Sequence, residues 1–389
     1  MKKSVVKYAF SVLLFASLLL SACNSPLHPQ LLGEYLEDLF TSNDIYIEES
    51  DFFTPVSEPY MTYAKMLRII PDNYQSDMRI SEGVAGQIAE ELLAIKDKLL
   101  LDGLYGKIDM HEHYRTSGDI DKFLKAAACF GISKVLFVPT ASGPDNAGYE
   151  ANWDKLIMKA KNEYPDRIIP YCTIDEADPL AAELVEKYIQ EGAKGLKLIG
   201  GHPEFYDEPL NSPNMYKVYE VCDKYDIPIL LHGSIINIPE LEEQLDQVYG
   251  DFPDVTFVHA HYASTIMSGI HLDKCAALLD KHPNMYIDLS MGGGIARYHK
   301  YLKQDLDKIR DFVIEYQDRI LFGSDIILRT QSNDFDFLYE RIKCDIYLHE
   351  KEDYNCDYGE SDWDHKGFNL DREILRKLYY TNPRKVLGY

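Results

Sequence analysis

From Lys107 onward the chain alternates short apolar strands with amphipathic helices, which predicts an α/β fold: a (β/α)8 TIM barrel preceded by an N-terminal extension. Three observations carry this. Eight strand-like segments recur at intervals of roughly 27–35 residues, a length that matches one strand, one helix and two short loops. Each segment is short and apolar, as a strand covered on both faces should be. The stretches between them carry apolar residues at helical spacing. An open doubly wound sheet would show the same alternation, but it needs a glycine-rich phosphate turn after an early strand. None is present. Gly292-Gly-Gly294 follows the seventh strand, lacks the required spacing, and reads as an active-site loop.

The predicted strands are Lys107–His111, Lys134–Pro139, Arg167–Thr173, Gly195–Ile199, Pro228–His232, Thr256–His261, Asn284–Leu289 and Arg319–Gly323. The helices between them are Asp119–Phe130, Trp153–Tyr164, Pro179–Gln190, Pro213–Tyr225, Pro239–Tyr249, Ser268–His282 and Leu302–Tyr316, and the last runs Asp371–Tyr380. Pro, Asp or Ser opens several of them. Gly131 and Gly192 follow two of their ends, where a left-handed cap is expected. Strand 8 is followed by a long polar insertion to about Leu370, containing Tyr354, Tyr358, Trp363 and His365. A long loop on the catalytic face is a candidate lid.

A barrel gathers the C-terminal ends of its strands around one mouth, where catalytic residues collect. His111 and His113 lie two residues apart at the end of strand 1, so they share a face and suit a two-imidazole metal grip. Lys197 sits in strand 4, His232 ends strand 5, His261 ends strand 6 and Asp325 follows strand 8. Alone, a strand-end histidine is more often hydrogen-bonded and structural, and an aspartate after a strand is often a helix cap. Together they converge on one site from five strands. Arg115, Arg297 and Arg329 follow strands 1, 7 and 8, where a planar bidentate donor could hold a substrate carboxylate. A surface role is equally open to each. His202 and Tyr206 lie in the loop after strand 4 and are placed at the mouth. His28, His271, His282, His299 and His349 fall on linker or helix surfaces and read as exposed.

These motifs resemble those of the amidohydrolase superfamily. Ile108-Asp-Met-His-Glu-His113 is similar to its first strand, Gly195-Leu-Lys-Leu198 to its fourth and Ile229-Leu-Leu-His232 to its fifth. Phe257-Val-His-Ala-His261 is similar to its sixth and Leu321-Phe-Gly-Ser-Asp325 to its eighth. Tyr380-Thr-Asn-Pro-Arg-Lys-Val-Leu387 resembles the closing helix of the amidohydrolase-related subgroup, which also holds decarboxylases. The resemblance covers about Lys107 to Tyr389. It implies that His111, His113, His232 and Asp325 hold one divalent metal, zinc by preference, with an open position for water. It gives Asp325 the proton of the attacking water and His261 a contact to that water or to the substrate. Lys197 has two readings: a cation that orients substrate, or a carbamylated bridge between two metals, with His232 and His261 on the second. The implied chemistry is hydrolysis of an amide, lactone or ester of a small molecule. Non-oxidative decarboxylation of an aromatic or dienoic acid is the alternative. A surface binding protein without catalysis is the third possibility, weakened because no ligand type is missing.

The chain opens Met-Lys-Lys, runs apolar from Val5 to Leu20 and reaches Leu20-Ser-Ala-Cys23, which reads as a secretory leader over residues 1–22. The last four residues resemble a bacterial lipobox. That implies lipid on Cys23 and, with Asn24 rather than Asp following, residence at the outer membrane of a bacterial envelope. An ordinary secretory signal is the alternative. Residues 23–82 are then a lipid-anchored linker and extension, and residues 83–389 the barrel with a leading helix over 83–101. Net charge is −24, which disfavours nucleic acid as a partner. Of the six other cysteines, Cys129, Cys222 and Cys275 fall on apolar helix sides, where free thiols are common. Cys344 and Cys356, in a loop-rich region, are the plausible disulfide partners. The sequence does not specify an oligomeric state.

Overall fold

The computed structural model describes residues 106–115, 119–139, 153–266, 269–291, 301–328, 334–355 and 364–389. The leader, Cys23, the extension, the leading helix, Gly292–Gly294, Arg297, Arg329, Cys356, Tyr358 and Trp363 lie outside these residues. The chain divides into two compact units, residues 1–107 with 121–133 and residues 108–120 with 134–389. In the described part of the first, α1 (Ile120–Ala128) buries Phe123, Leu124 and Ala127. Gly131 follows it with a positive φ of 77°, and its carbonyl accepts from the N–H groups of Gly106 and Lys107.

The second unit carries the sheet. Its strands are β1 (Lys107–Tyr114), β2 (Ile132–Pro139), β3 (Ile168–Thr173), β4 (Gly195–Gly201), β5 (Ile229–Gly233), β6 (Phe257–His259), β7 (Met285–Asp288), β8 (Ile320–Leu321) and β9 (Ile327–Leu328). Their order is β8-β7-β6-β5-β4-β3-β2-β1-β9. Successive pairs from β2 to β8 are parallel, as are β1 and β9. β8 and β9 are two pieces of one eighth strand. Its first piece pairs with β7 and its second with β1, so the ring closes on itself and the edges disappear. Between the pieces, Met110 N–H donates to Phe322 O and Asp325 N–H to His111 O. The predicted eighth strand is therefore longer than Arg319–Gly323 and is broken at the site itself.

Helices alternate with the strands: α2 (Lys159–Glu163, entered through a π-helical turn at Trp153–Met158), α3 (Ala181–Glu191), α4 (Pro213–Lys224), α5 (Leu241–Asp251), α6 (Leu272–Lys281) and α7 (Leu306–Glu315). Local signals set their ends. Ser212 accepts from Met215 N–H with Pro213 in the first turn, and Gly192, at φ 117°, caps α3. Barrel-lining side chains form the core, among them Ile108, Met110, Val138, Tyr171, Leu230, Val258 and Tyr286.

The described residues of the insertion after the eighth strand form regular structure. They include α8 (Phe335–Glu350) and the antiparallel pair β10 (Asp353–Asn355) and β11 (Asp364–Lys366). Cys344 lies within α8, not in a loop, and is disulfide-bonded. Cys129, Cys172, Cys222 and Cys275 are buried free thiols. The chain ends in α9 (Arg372–Arg376), a π-helical turn (Lys377–Thr381) and α10 (Asn382–Val386). Among the described residues no helix is long and apolar enough to cross a membrane.

Candidate functional site

The C-terminal ends of β1, β4, β5, β6 and β7, with the break in the eighth strand, bring one cluster together. His111 Nε2 lies 3.3 Å from His113 Nε2 and 3.5 Å from Asp325 Oδ1, and His113 Nε2 is 3.4 Å from that oxygen. Asp325 reaches this point from a backbone with φ 48°, a left-handed conformation that favours glycine. Two buried carboxylates brace it. Asp109 accepts from Ser324 N–H at 3.1 Å and from Ser324 Oγ–H at 2.6 Å, and Glu112 accepts from Ile326 N–H at 3.0 Å. Ser324 Oγ also touches Glu112. One hydroxyl proton cannot serve two carboxylates, so the arrangement favours a proton on one of them. Burial accordingly pushes Asp109 up to about 7 and Glu112 well above the carboxylate range.

Lys197 Nζ lies 3.2 Å from His111 Nε2, and burial lowers it to about 8. His261 Nε2 stands 3.9 Å from Asp325 Oδ2. The His232 ring meets His261 at 4.9 Å and His202 at 4.7 Å between centroids. His202 Nδ1 accepts from Glu204 N–H at 3.1 Å. Burial drives His113 and His232 well below the usual imidazole range and His261 to about 4, so all three are neutral at pH near 7. Burial works the other way on Asp325, but the surrounding His111, His261, His113 and Lys197 together outweigh it and hold the carboxyl below its ordinary value.

These groups fit a divalent cation. The Nε2 atoms of two histidines and a carboxylate oxygen face one another at hydrogen-bond separations, a point that calls for positive charge. His111, His113 and Asp325 supply the mixed nitrogen and oxygen donors that a borderline metal prefers. His232 lies outside this tight group but borders it through His261.

A family model described as Amidohydrolase matches residues 108–389. The chain belongs to the amidohydrolase family. Solved structures with the same fold include an uncharacterised TIM-barrel protein from Bordetella bronchiseptica, 17% identical with a TM-score of 0.52, covering 73% of this chain and 98% of that one. A second is a probable 2-pyrone-4,6-dicarboxylic acid hydrolase from Acinetobacter baumannii, with citric acid bound (16%, TM-score 0.51, 73% and 100%). A third is an amidohydrolase from Burkholderia multivorans with bound zinc (12%, TM-score 0.51, 73% and 99%). No curated protein matches the chain.

This amidohydrolase-family site thus unites His111, His113, Lys197, His232, His261 and Asp325, with His202 beside them. Arg115 follows β1 and its N–H donates to Leu328 O at 3.0 Å. One element differs from expectation. β6 ends at His259, and His261 begins a run of four left-handed residues, His261 to Ser264, with φ between 54° and 59°. His259, one alternation earlier, faces away into the scaffold: its Nε2 bonds Gly233 O at 2.8 Å. Two histidines read as exposed are buried. His282 bonds Asp246 at 2.7 Å, and His349 packs among Phe322, Phe368 and Tyr379. Asp288 and Ser290 were not foreseen. Asp288 Oδ2 bonds His111 Nδ1 at 2.8 Å and Ser290 Oγ bonds His261 Nδ1 at 2.8 Å. The one signal in the sequence was Asp288's position at the C-terminal end of a barrel strand.

Proposed function

We propose that this protein is a metal-dependent hydrolase that cleaves an amide, lactone or ester bond of a small molecule. One observation carries the reading: His111 Nε2, His113 Nε2 and Asp325 Oδ1 converge within 3.5 Å at the barrel mouth, beside His261 and Lys197. Family membership and the zinc-bound Burkholderia amidohydrolase of the same fold support it. His111, His113 and Asp325 would hold one divalent cation, zinc by donor type, with His232 as a fourth donor. Such an ion supplies Lewis acidity and lowers the pKa of water to about 7.

The chain's own residues account for the rest. Asp325 Oδ2, turned toward His261 rather than toward His111 and His113, takes a proton from the attacking water and returns it to the leaving group. His261 holds the second side of that water. Lys197, still largely protonated at pH 7, places a cation where an anionic substrate oxygen can rest. The same cation supports the second reading, decarboxylation of an aromatic or dienoic acid, because it would hold a carboxylate. Arg115, Arg297, Arg329 and His202 are the candidate substrate contacts.

The test is metal content per chain without chelator, followed by a panel of lactones, esters, amides and aromatic carboxylic acids. Turnover of a carbonyl substrate, falling ~10²–10⁴-fold in Asp325→Asn, is expected. Release of carbon dioxide alone would move the assignment to decarboxylase, and binding without turnover to a capture protein. Two metals per chain, falling in Lys197→Ala, would favour the carbamylated bridge over the plain cation. We further propose that residues 1–22 are a lipoprotein signal and that lipid on Cys23 anchors the enzyme at the outer membrane. Mass spectrometry of the membrane fraction should find an acylated Cys23; an unmodified, soluble mature chain would refute the anchor.

A further inference from the structure

The proton positions at this site can be counted, and the count runs through Asp288 and Ser290. Asp288 is fully buried. Its Oδ1 accepts from His261 N–H at 3.0 Å, from Ser290 N–H at 3.0 Å and from the Ser290 hydroxyl at 2.5 Å. Its Oδ2 lies 2.8 Å from His111 Nδ1. A carboxylate oxygen can only accept, so His111 must carry its proton on Nδ1. The Ser290 oxygen has one proton, and that proton goes to Asp288. The same oxygen lies 2.8 Å from His261 Nδ1 and 3.3 Å from His111 Nδ1, so toward both rings it can only accept. A third contact agrees: His261 Nδ1 is 3.2 Å from Ser290 O, a carbonyl that never donates. Every partner around the two Nδ1 atoms therefore demands an N–H.

We infer that Asp288 is a positioning residue that, together with Ser290, holds the proton of His111 and of His261 on Nδ1, so that each ring, when neutral, faces the site through an unprotonated Nε2. The inference rests on the metal-hydrolase reading only for its purpose. A neutral imidazole with its proton held behind it has one lone pair left, and here that lone pair points into the cluster. For His111 this is the state that can ligate a cation. For His261 it means that the ring offers the site an acceptor, not a donor, so it does not polarise a substrate carbonyl in this state. Asp288 also holds the amide of His261 at the first residue of the left-handed run. One carboxylate on β7 thus orders a metal-binding histidine on β1 and His261 just beyond β6.

The experiment is nitrogen-15 NMR of the imidazole rings in the full-length, metal-free protein at neutral pH, assigned with His111→Asn and His261→Asn. Both rings should show the Nδ1–H tautomer in the wild type. In Asp288→Asn, the amide oxygen will turn to the three donors on the Oδ1 side. Its NH2 then faces His111 Nδ1 and forces that ring to the Nε2–H form. Zinc binding, measured by competition with a chelating dye, should weaken ~10–100-fold. Ser290→Ala leaves His261 Nδ1 only the residue-290 carbonyl as acceptor, so an Nε2–H population should appear in that ring beside the Nδ1–H form, while His111 stays Nδ1–H. Should Asp288→Asn fail to fold, the wild-type spectrum and Ser290→Ala still decide. An Nε2–H wild-type His111 or His261, or an Asp288→Asn protein with unchanged tautomers and zinc affinity, would overturn the inference. Inactivity on every substrate with the expected tautomers in place would instead sink the hydrolase reading alone.

Discussion

The two sides of the barrel mouth are built differently. On the side of β1, β7 and the eighth strand, His111 and Asp325 are held from behind by hydrogen bonds, whereas the His113 Nδ1 has none among the described residues. His111 rests on Asp288, Asp325 sits between two residues clamped by Asp109 and Glu112, and Arg341 ties Ser324 O at 2.7 Å to Met291 O at 3.1 Å. On the side of β4 and β5 the backbone is braced but the His232 ring is not. Glu176 accepts from Ile199 and Gly200 N–H at 2.8 and 2.7 Å, whereas the His232 ring meets other rings and, among the described residues, no carboxylate. A ring fixed by a carboxylate has its orientation and its proton set before any ligand arrives. A ring fixed by packing can still turn. The first side is thus prepared for a metal, and the second is free to adapt to it or to the substrate.

The sharpest way to break this comparison is to remove one histidine from each side. His111→Ala should weaken zinc binding by more than the ~10–100-fold typical of an outer contact. His232→Ala should stay within that range and keep measurable metal. Equal losses in a dye-competition titration would show that His232 grips the metal as firmly as His111 does.

The next effect is on stability and lies behind Asp325. Arg341 and Asp345 form a buried ion pair in α8. Arg341→Met leaves Asp345 buried without its partner and should cost about 3–5 kcal/mol in urea melts. The pH dependence follows. Burial holds Asp345 up at about 6, above the ordinary 3.8, with Arg341 pulling it partly back. A folded state that binds the proton more tightly gains stability that is complete below the unfolded value and is lost as pH rises through about 6. Removing Arg341 raises Asp345 further, so the decline should extend to higher pH. Parallel pH profiles of variant and wild type would contradict this role for the pair.

Much of the prepared side was legible in the sequence, because barrel topology brings strand ends to one rim whatever the loops between them do. His111, His113, Lys197, His232, His261 and Asp325 follow from that rule and from side-chain alternation. What stayed hidden is what depends on distant pairs or on unusual backbone. Asp288 acts on a residue 177 positions away, and no local spacing marks it. The left-handed run from His261 to Ser264 contains no glycine, so nothing in the sequence announced that β6 would stop at His259. His349 read as exposed because it falls in a polar insertion rich in charge, with Glu340, Arg341, Lys343 and Asp345 close by. They are buried and two pairs form within the helix, Arg341 with Asp345 and Lys343 with Glu340. A charged stretch is expected to face water, and here charge satisfies charge.

The finest test uses two glycines, one on each side. A Cβ on Gly323 would lie 2.7 Å from the His111 Cβ and 3.3 Å from that of Ser290. A Cβ on Gly201 would lie 2.1 Å from His232 O and 2.9 Å from the Gly233 Cα. Each Gly→Ala change forces a local shift costing ~1–3 kcal/mol. Gly201→Ala should be the worse of the two for thermal stability, because it strikes backbone where β4 meets β5. Gly323→Ala should be the worse for zinc affinity, because the atom it displaces, the His111 Cβ, carries a ring whose place Asp288 has already set. If both glycines ranked the same way on both measurements, the contrast between a hydrogen-bonded side and a packed side would have no mechanical basis.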